Sequence, residues 1–484
     1  LESSLVLWLS WPWYRTLKQS APDFWQWRSG VFTFVGEPVP LATDAPAALP
    51  VEDGLYGDVS AKQSPDIWQI LSKDLAQLEH SSETPEEIPD GGASGITDEA
   101  SSGTVAVEQP EDEPVDVTAL ENPLETIAQW EERGAAVAEI TVAYRTLGNH
   151  YRDRIEAGDM TPSLLESAIE TFERYLHRLP KDDAQRSAGL NDLGTLYWLQ
   201  AQNQSELAAL IAGMNRSAEQ YQAGLACEST DADTNSRLYG NLGAVYSALA
   251  NYDDSVTHLK EAVTAYRQAL PFCSVETNPE EYSALQNSLG SVYWKLAYYE
   301  QPKPHLHRAI AAYNEALRCH HPEKSSLDYA AVQNNLGIAY WSLSRHERPI
   351  FLLKHAIAAY RDALNYRTPT TDPTSCASTY NNLGTAFWEL ANHPDAPADP
   401  EGRYKQNAVI AYEAALKASE LAPSNLDLAS IRHCLGSIYD KLARAADNQS
   451  ETVGSLRRAL VHYVSALKQT PQTAATYEPI FKAL

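Results

Sequence analysis

Asparagine recurs in register along the C-terminal three-quarters of this 484-residue chain. Asn191, Asn241, Asn287, Asn334, Asn335, Asn381 and Asn382 all stand two or three residues before a glycine. A carboxamide both donates and accepts, so a row of them suits the backbone of an extended peptide. Four residues after the glycines come Trp198, Trp294, Trp341 and Trp388, flat apolar walls of the kind found at binding hot spots. Asparagine is a poor helix former because its amide competes with the backbone for hydrogen bonds, so its return in helical sequence calls for a reason. The alternative is structural: the carboxamides bond neighbouring helices and the indoles pad a core. For Asn334, Asn335, Asn381 and Asn382 exposure is the expectation, because two adjacent helix positions do not both point into one core.

Catalytic chemistry finds no such pattern. The phosphate-cradling GxxxxGK[ST], the dinucleotide-binding GxGxxG, the zinc-binding HExxH and the nucleophile elbow GxSxG are all missing from the sequence. A non-enzymatic protein with no cofactor and no metal is expected. The densest histidine group, His305, His307, His320 and His321 beside Cys319, fails as a zinc site on distance. His305 and Cys319 are 14 residues apart, which on one helix is ~21 Å. The five cysteines contain no Cys-x-x-Cys. Cys227, Cys273 and Cys319 follow at intervals of 46 residues, and equivalent points of packed helices lie ~8–10 Å apart, beyond disulfide reach. Free thiols fit a reducing compartment, and a cytoplasmic location is expected.

The elements that must position the asparagines come from an internal repeat. Leu-Gly-x-x-aromatic recurs at Gly148, Gly194, Gly243, Gly290, Gly337, Gly384 and Gly436, spaced 46, 49, 47, 47, 47 and 52 residues apart. A second motif follows each, centred on Phe172, Tyr221, Tyr266, Tyr313, Tyr360, Tyr412 and Tyr463, with alanine or serine four residues earlier. Apolar positions at i, i+1, i+4, i+7 and i+8, as from Ala356 to Leu364, predict amphipathic helices. The glycine and the small residue let two helix axes approach, and the aromatic ring fills the flank.

These two-part units resemble tetratricopeptide (TPR) repeats, with the longer period of kinesin-light-chain-type arrays, over residues ~123–467. The resemblance implies an all-α fold: a right-handed superhelix of about seven helix pairs, a helix A carrying Leu-Gly followed by a helix B. The period of 47 exceeds the standard 34 by about 7 residues between the helices and about 6 between repeats. Pro302, Pro304, Pro349, Pro369 and Pro373 fall in the added stretches, as expected of lengthened helix ends and loops. The resemblance also implies that positions two and three before the glycine, and one, four and five after it, face a concave peptide-binding groove. Arg145, Asn149 and Arg152 supply the first half of the family's dicarboxylate clamp. Asp192 stands where the second half needs asparagine, which argues against a true clamp.

The formal charge of -27 is unevenly placed. Residues 1–35 sum to +1, residues 36–122 to -18 and residues 123–484 to -10. The middle segment is rich in proline and glycine and holds only two aromatics, Tyr56 and Trp68. It cannot bury enough apolar surface to offset its ordering entropy, so an acidic disordered linker is expected there. Within it, Pro65 and the spacing of Ile67, Leu71, Leu75 and Leu78 predict a short amphipathic helix over 64–80. Residues 1–35 hold five of the eleven tryptophans and read as a hairpin or docking element, while 471–484 read as a capping segment. The acidity argues against nucleic acid and anionic membranes as partners, and no apolar run approaches the ~20 residues of a membrane span. The expected function is a protein-interaction adaptor that binds an extended segment. The alternatives are the regulatory region of a larger enzyme and a peripheral membrane-complex assembly factor.

Overall fold

In the computed structural model, residues 117, 122–228, 230–319, 326–396, 402–422, 426–470, 474 and 476–483 are described. The expected Trp-rich start, most of the acidic linker and the helix at 64–80 lie outside them. Every regular element of any length among the described residues is helical: α1 (Pro123–Glu132), α2 (Val137–Glu156), α3 (Pro162–Arg178), α4 (Arg186–Gln202), α5 (Leu207–Leu225), α6 (Ala232–Leu249), α7 (Ser255–Ala269) and α8 (Pro279–Leu296). They continue as α9 (Pro302–Cys319), α10 (Ser326–Ser344), α11 (Pro349–Leu364), α12 (Pro373–Asn392), α13 (Arg403–Leu421), α14 (Leu428–Ala445), α15 (Gln449–Gln469) and α16 (Tyr477–Ala483). From α2 to α15 they alternate in order as A and B helices, all-α as expected. The described residues form two compact units, 122–245 and 246–483.

Helix starts follow the sequence. Proline opens α1, α3, α8, α11 and α12, where its missing N–H goes unneeded. The Asp372, Asp427 and Asn448 side chains accept backbone N–H groups at the starts of α12, α14 and α15. The longer period enters mainly as helix length. Only residues 345–348 join α10 to α11, and Pro349 opens α11, at one of the lengthened helix ends. The residue just before helix B is left-handed in three successive repeats, at Asp254, Gln301 and Arg348 (φ 27, 43 and 41°), a conformation uncommon for non-glycine residues.

Hairpins in both units close through the glycine and aromatic ring that define the repeat. A Cβ built on Gly337 would lie 2.5 Å from the Tyr360 ring, and one on Gly290 2.7 Å from that of Tyr313. Gly194 against Tyr221, Gly384 against Tyr412 and Gly436 against Tyr463 repeat the fit at 2.5–2.8 Å. The small residue one turn before each ring is buried too: Ala309, Ala356 and Ala408 are fully enclosed. In the second hairpin Ser217 takes that place and its Oγ donates to the Gly194 carbonyl at 2.7 Å. The ring hydroxyls reach the residue after the glycine: Tyr221 meets Thr195, Tyr313 meets Ser291, Tyr412 meets Thr385 and Tyr463 meets Ser437, at 3.1–3.3 Å. One position assigned to the groove by resemblance is therefore engaged inside its own hairpin.

Candidate protein-interaction face

The asparagines pair with one another. Asn382 Nδ2 donates to Asn334 Oδ1 at 3.1 Å, Asn335 Nδ2 to Asn287 Oδ1 at 3.1 Å, and Asn241 Nδ2 to Asn191 Oδ1 at 2.9 Å. The rule is constant: the asparagine two before the glycine donates to the one three before the glycine of the preceding repeat. This accounts for a weak helix former in mid-helix, since the bond spans two A helices and replaces the water that burial removes. Asn191, Asn334, Asn381 and Asn382 are buried, and Asn241, Asn287 and Asn335 are half-buried. The expected exposure of Asn334, Asn381 and Asn382 is therefore corrected. An A helix is flanked by more than one neighbour, so two adjacent positions can both be enclosed without sharing a partner.

The row ends at the last repeat, which carries His433 and Cys434 in place of asparagine. Asn381, fully buried, is left with neither amide atom bonded to a protein group. Burial raises the Cys434 thiol pKa, so that side chain stays neutral and offers only a weak donor.

A second row runs along the same helices, where the residue four after one glycine meets the residue five after the next. Lys295 Nζ donates to the Ser247 carbonyl and hydroxyl at 3.4 Å each. Trp294 Nε1 donates to Ser342 Oγ at 3.0 Å. Lys441 Nζ lies 4.6 Å from the centroid of the Trp388 ring, a cation–π distance. Glu389 lies beside Trp341; burial raises its carboxyl pKa, partly offset by Arg345 and by the indole. Burial likewise lowers the Lys295 ammonium pKa.

What stays open lies one turn further on. Tyr298, 55% exposed, packs edge-on against Trp294 with centroids 4.9 Å apart. Arg345 covers the half-buried Trp341 ring at 5.2 Å. Asn392 bonds the Trp388 carbonyl at 2.7 Å and accepts from Lys441 at 2.5 Å. Of the predicted tryptophans, Trp294 is buried while Trp341 and Trp388 are half-buried. Tyr298, Arg345 and Lys441 were not among the sequence candidates. Tyr298 and Arg345 stand four residues after a tryptophan, the i,i+4 spacing that places them over its ring.

In the first unit, Arg152 is held 3.2 Å from Asp192, whose carboxyl pKa burial raises against the pull of that arginine. Arg145 donates to Gln185 at 2.8 Å, and Asn149 is half-buried. The cation of the incomplete clamp is thus already paired within the fold. Among the described residues no group of His, Cys, Asp and Glu gathers as for a metal ion, and no helix is long and apolar enough to cross a membrane.

Tandem hairpins closed by Leu-Gly-x-x-Tyr against Ala-x-x-x-Tyr define a TPR-type repeat protein, an architecture of interaction scaffolds. The tetratricopeptide repeat family model matches residues 237–272. The chain is similar to BtubC (BKLC) from P. vanneervenii at 19% identity, covering 53% of this chain and 90% of that one, TM-score 0.35. It is similar to human IFIT1, solved as a dimer with PPP-AAAA, at 15% identity over 72% of this chain and 78% of that one, TM-score 0.38. It is also similar to the nuclear import adaptor Nro1 of S. pombe at 14% identity over 72% and 99%, TM-score 0.31. No curated protein matches the sequence.

Proposed function

We propose that this protein is a non-enzymatic adaptor that binds an extended protein segment across the A helices of its second unit, in a reducing, cytoplasmic compartment. The observation that carries this reading is the recurrence, at repeat spacing, of tryptophans overlain by an exposed tyrosine or by a cation. Trp294, Trp341 and Trp388 lie on successive A helices, overlain by Tyr298, Arg345 and Lys441 in turn. A segment crossing them meets flat apolar surface and a fixed positive charge in turn, which suits a peptide that alternates apolar and acidic side chains. The paired asparagines hold the register of that face and are not its contact atoms.

Peptide display against the full chain, compared with the Arg345→Ala/Trp388→Ala variant, tests the reading. Enrichment of apolar–acidic sequences by the parent and not by the variant is expected. Equal enrichment by both would remove this face from the function.

A further inference from the structure

Hairpin α14–α15 is closed as tightly as its neighbours in the second unit but is fastened less well to them. Inside it, a Cβ built on Gly436 would lie 2.5 Å from the Tyr463 ring. His462 stacks on the Tyr439 ring at 5.6 Å and Arg458 lies over it at 5.5 Å. Across the seam from α13 to α14 the packing is thin. Far fewer residues of these two helices approach one another than of α9 and α10, or of α11 and α12.

The carboxamide row stops at the same seam. Asn191, Asn287 and Asn334 each accept from the next A helix. The position that would donate to Asn381 is Cys434, and a thiol is a weak donor. Asn381 is 0% exposed and neither of its amide atoms is bonded to a protein group. Closing this seam therefore takes polar atoms from water without a protein bond in return, whereas closing the seams upstream makes one. The links that the α13–α14 seam keeps are polar. Tyr439 donates to Glu413 at 2.7 Å, as Tyr197 of α4 does to Glu173 of α3. The Cys434 thiol is hydrogen-bonded with Tyr412 of α13. The exposed Lys441 reaches Asn392 of α12 at 2.5 Å, a link that must hold a long, rotamer-rich side chain in one place.

We propose that the α13–α14 seam is a hinge, at which α14 and α15 swing open together while α8 to α13 stay closed, because the carboxamide row lacks its donor there. In a repeat array each hairpin is held by its own contacts and by those to its neighbours, so the thinnest interface sets where the array parts. Opening separates Lys441 on α14 from Trp388 on α12, so the hinge decides whether that ring and that cation stand together. This consequence bears on a partner only under the adaptor reading, whereas the hinge itself does not depend on it.

Hydrogen exchange read by mass spectrometry on the full chain, with no partner added, tests the hinge apart from that reading. The amides of α14 and α15 should exchange on the order of tenfold or more faster than those of α10 and α12, and should lose protection together as urea is raised. Cys434→Asn should slow exchange in both helices severalfold and Tyr439→Phe should speed it in both, with α8 to α11 unchanged as the folding control. Protection of α14 equal to that of α12 in the parent overturns the hinge, as does loss of protection in α14 separately from α15. So does a Cys434→Asn variant with the parent's exchange in both helices, since the missing donor is then not what loosens the seam.

Discussion

The two units use one repeat and tie it together differently. Residues 123–245 hold 18 acidic and 10 basic side chains, and residues 246–484 hold 24 and 22. In the first unit the links between successive A helices include Arg152 to Asp192 and Arg145 to Gln185, with one asparagine pair. In the second, two asparagine pairs, an indole–hydroxyl bond and a cation–π contact do the same work. The difference shows that the hairpin is fixed by glycine and ring, while the positions between hairpins are free to hold several chemistries. The second unit is the one whose inter-helix links leave rings and cations half-open.

The largest effect expected from breaking this scheme is at its shared element. Gly337→Ala forces a methyl group into the Tyr360 ring and should cost up to about 3 kcal/mol in urea unfolding. Gly454→Ala on α15, where nothing lies within 4 Å, should instead gain up to about 1 kcal/mol. Removing an acceptor from the carboxamide row comes next. Asn334→Ala strands the buried Asn382 Nδ2 and should cost about 2 kcal/mol, little changed by salt. If the loss is no greater than at an exposed asparagine, the row is not a structural tie.

Acidification acts on the second unit through His355 and His462, whose burial pushes their pKa values down to about 4. The unfolded side chains take up protons near the ordinary value of about 6.5. The stability these sites provide is therefore complete above that value and is lost as pH falls from about 6.5 towards 4. Unfolding free energies from urea titrations at pH 7 and pH 5 should differ by on the order of 1 kcal/mol for each histidine. His355→Gln/His462→Gln should flatten the difference.

A smaller gain is expected from extending the row. Cys434→Asn puts a carboxamide donor where Asn381 lacks one and should raise stability by about 1 kcal/mol. An unchanged melting temperature would show that the carboxamide at 434 does not reach Asn381. The smallest effect should come from the first unit. Arg152→Ala breaks an ion pair in which the arginine is 41% exposed, worth about 0.5 kcal/mol at low salt and less at high salt.

The fold was legible because its determinants are local and repeated. Seven glycines with an aromatic three residues on, each followed by a small residue one turn before a ring, have one steric solution, the close helix hairpin. The fate of the polar positions was not legible in the same way. Asn334 and Asn382 are 48 residues apart, and neither shows in its own helix which neighbour it will meet. The argument from adjacency treated the helix as having one core face, whereas an A helix within an array has several covered flanks. Tyr298, Arg345 and Lys441 were missed because the tryptophans were read as lone walls; the i,i+4 spacing was the available signal for the first two.

By itself, then, the sequence determined the helix, the hairpin and the period, because these rest on side-chain volume and spacing within a few turns. Only the tertiary structure decided which asparagines are ties and which rings stay open. Those outcomes depend on atoms contributed by the next repeat, brought within hydrogen-bonding distance only once the helices stack.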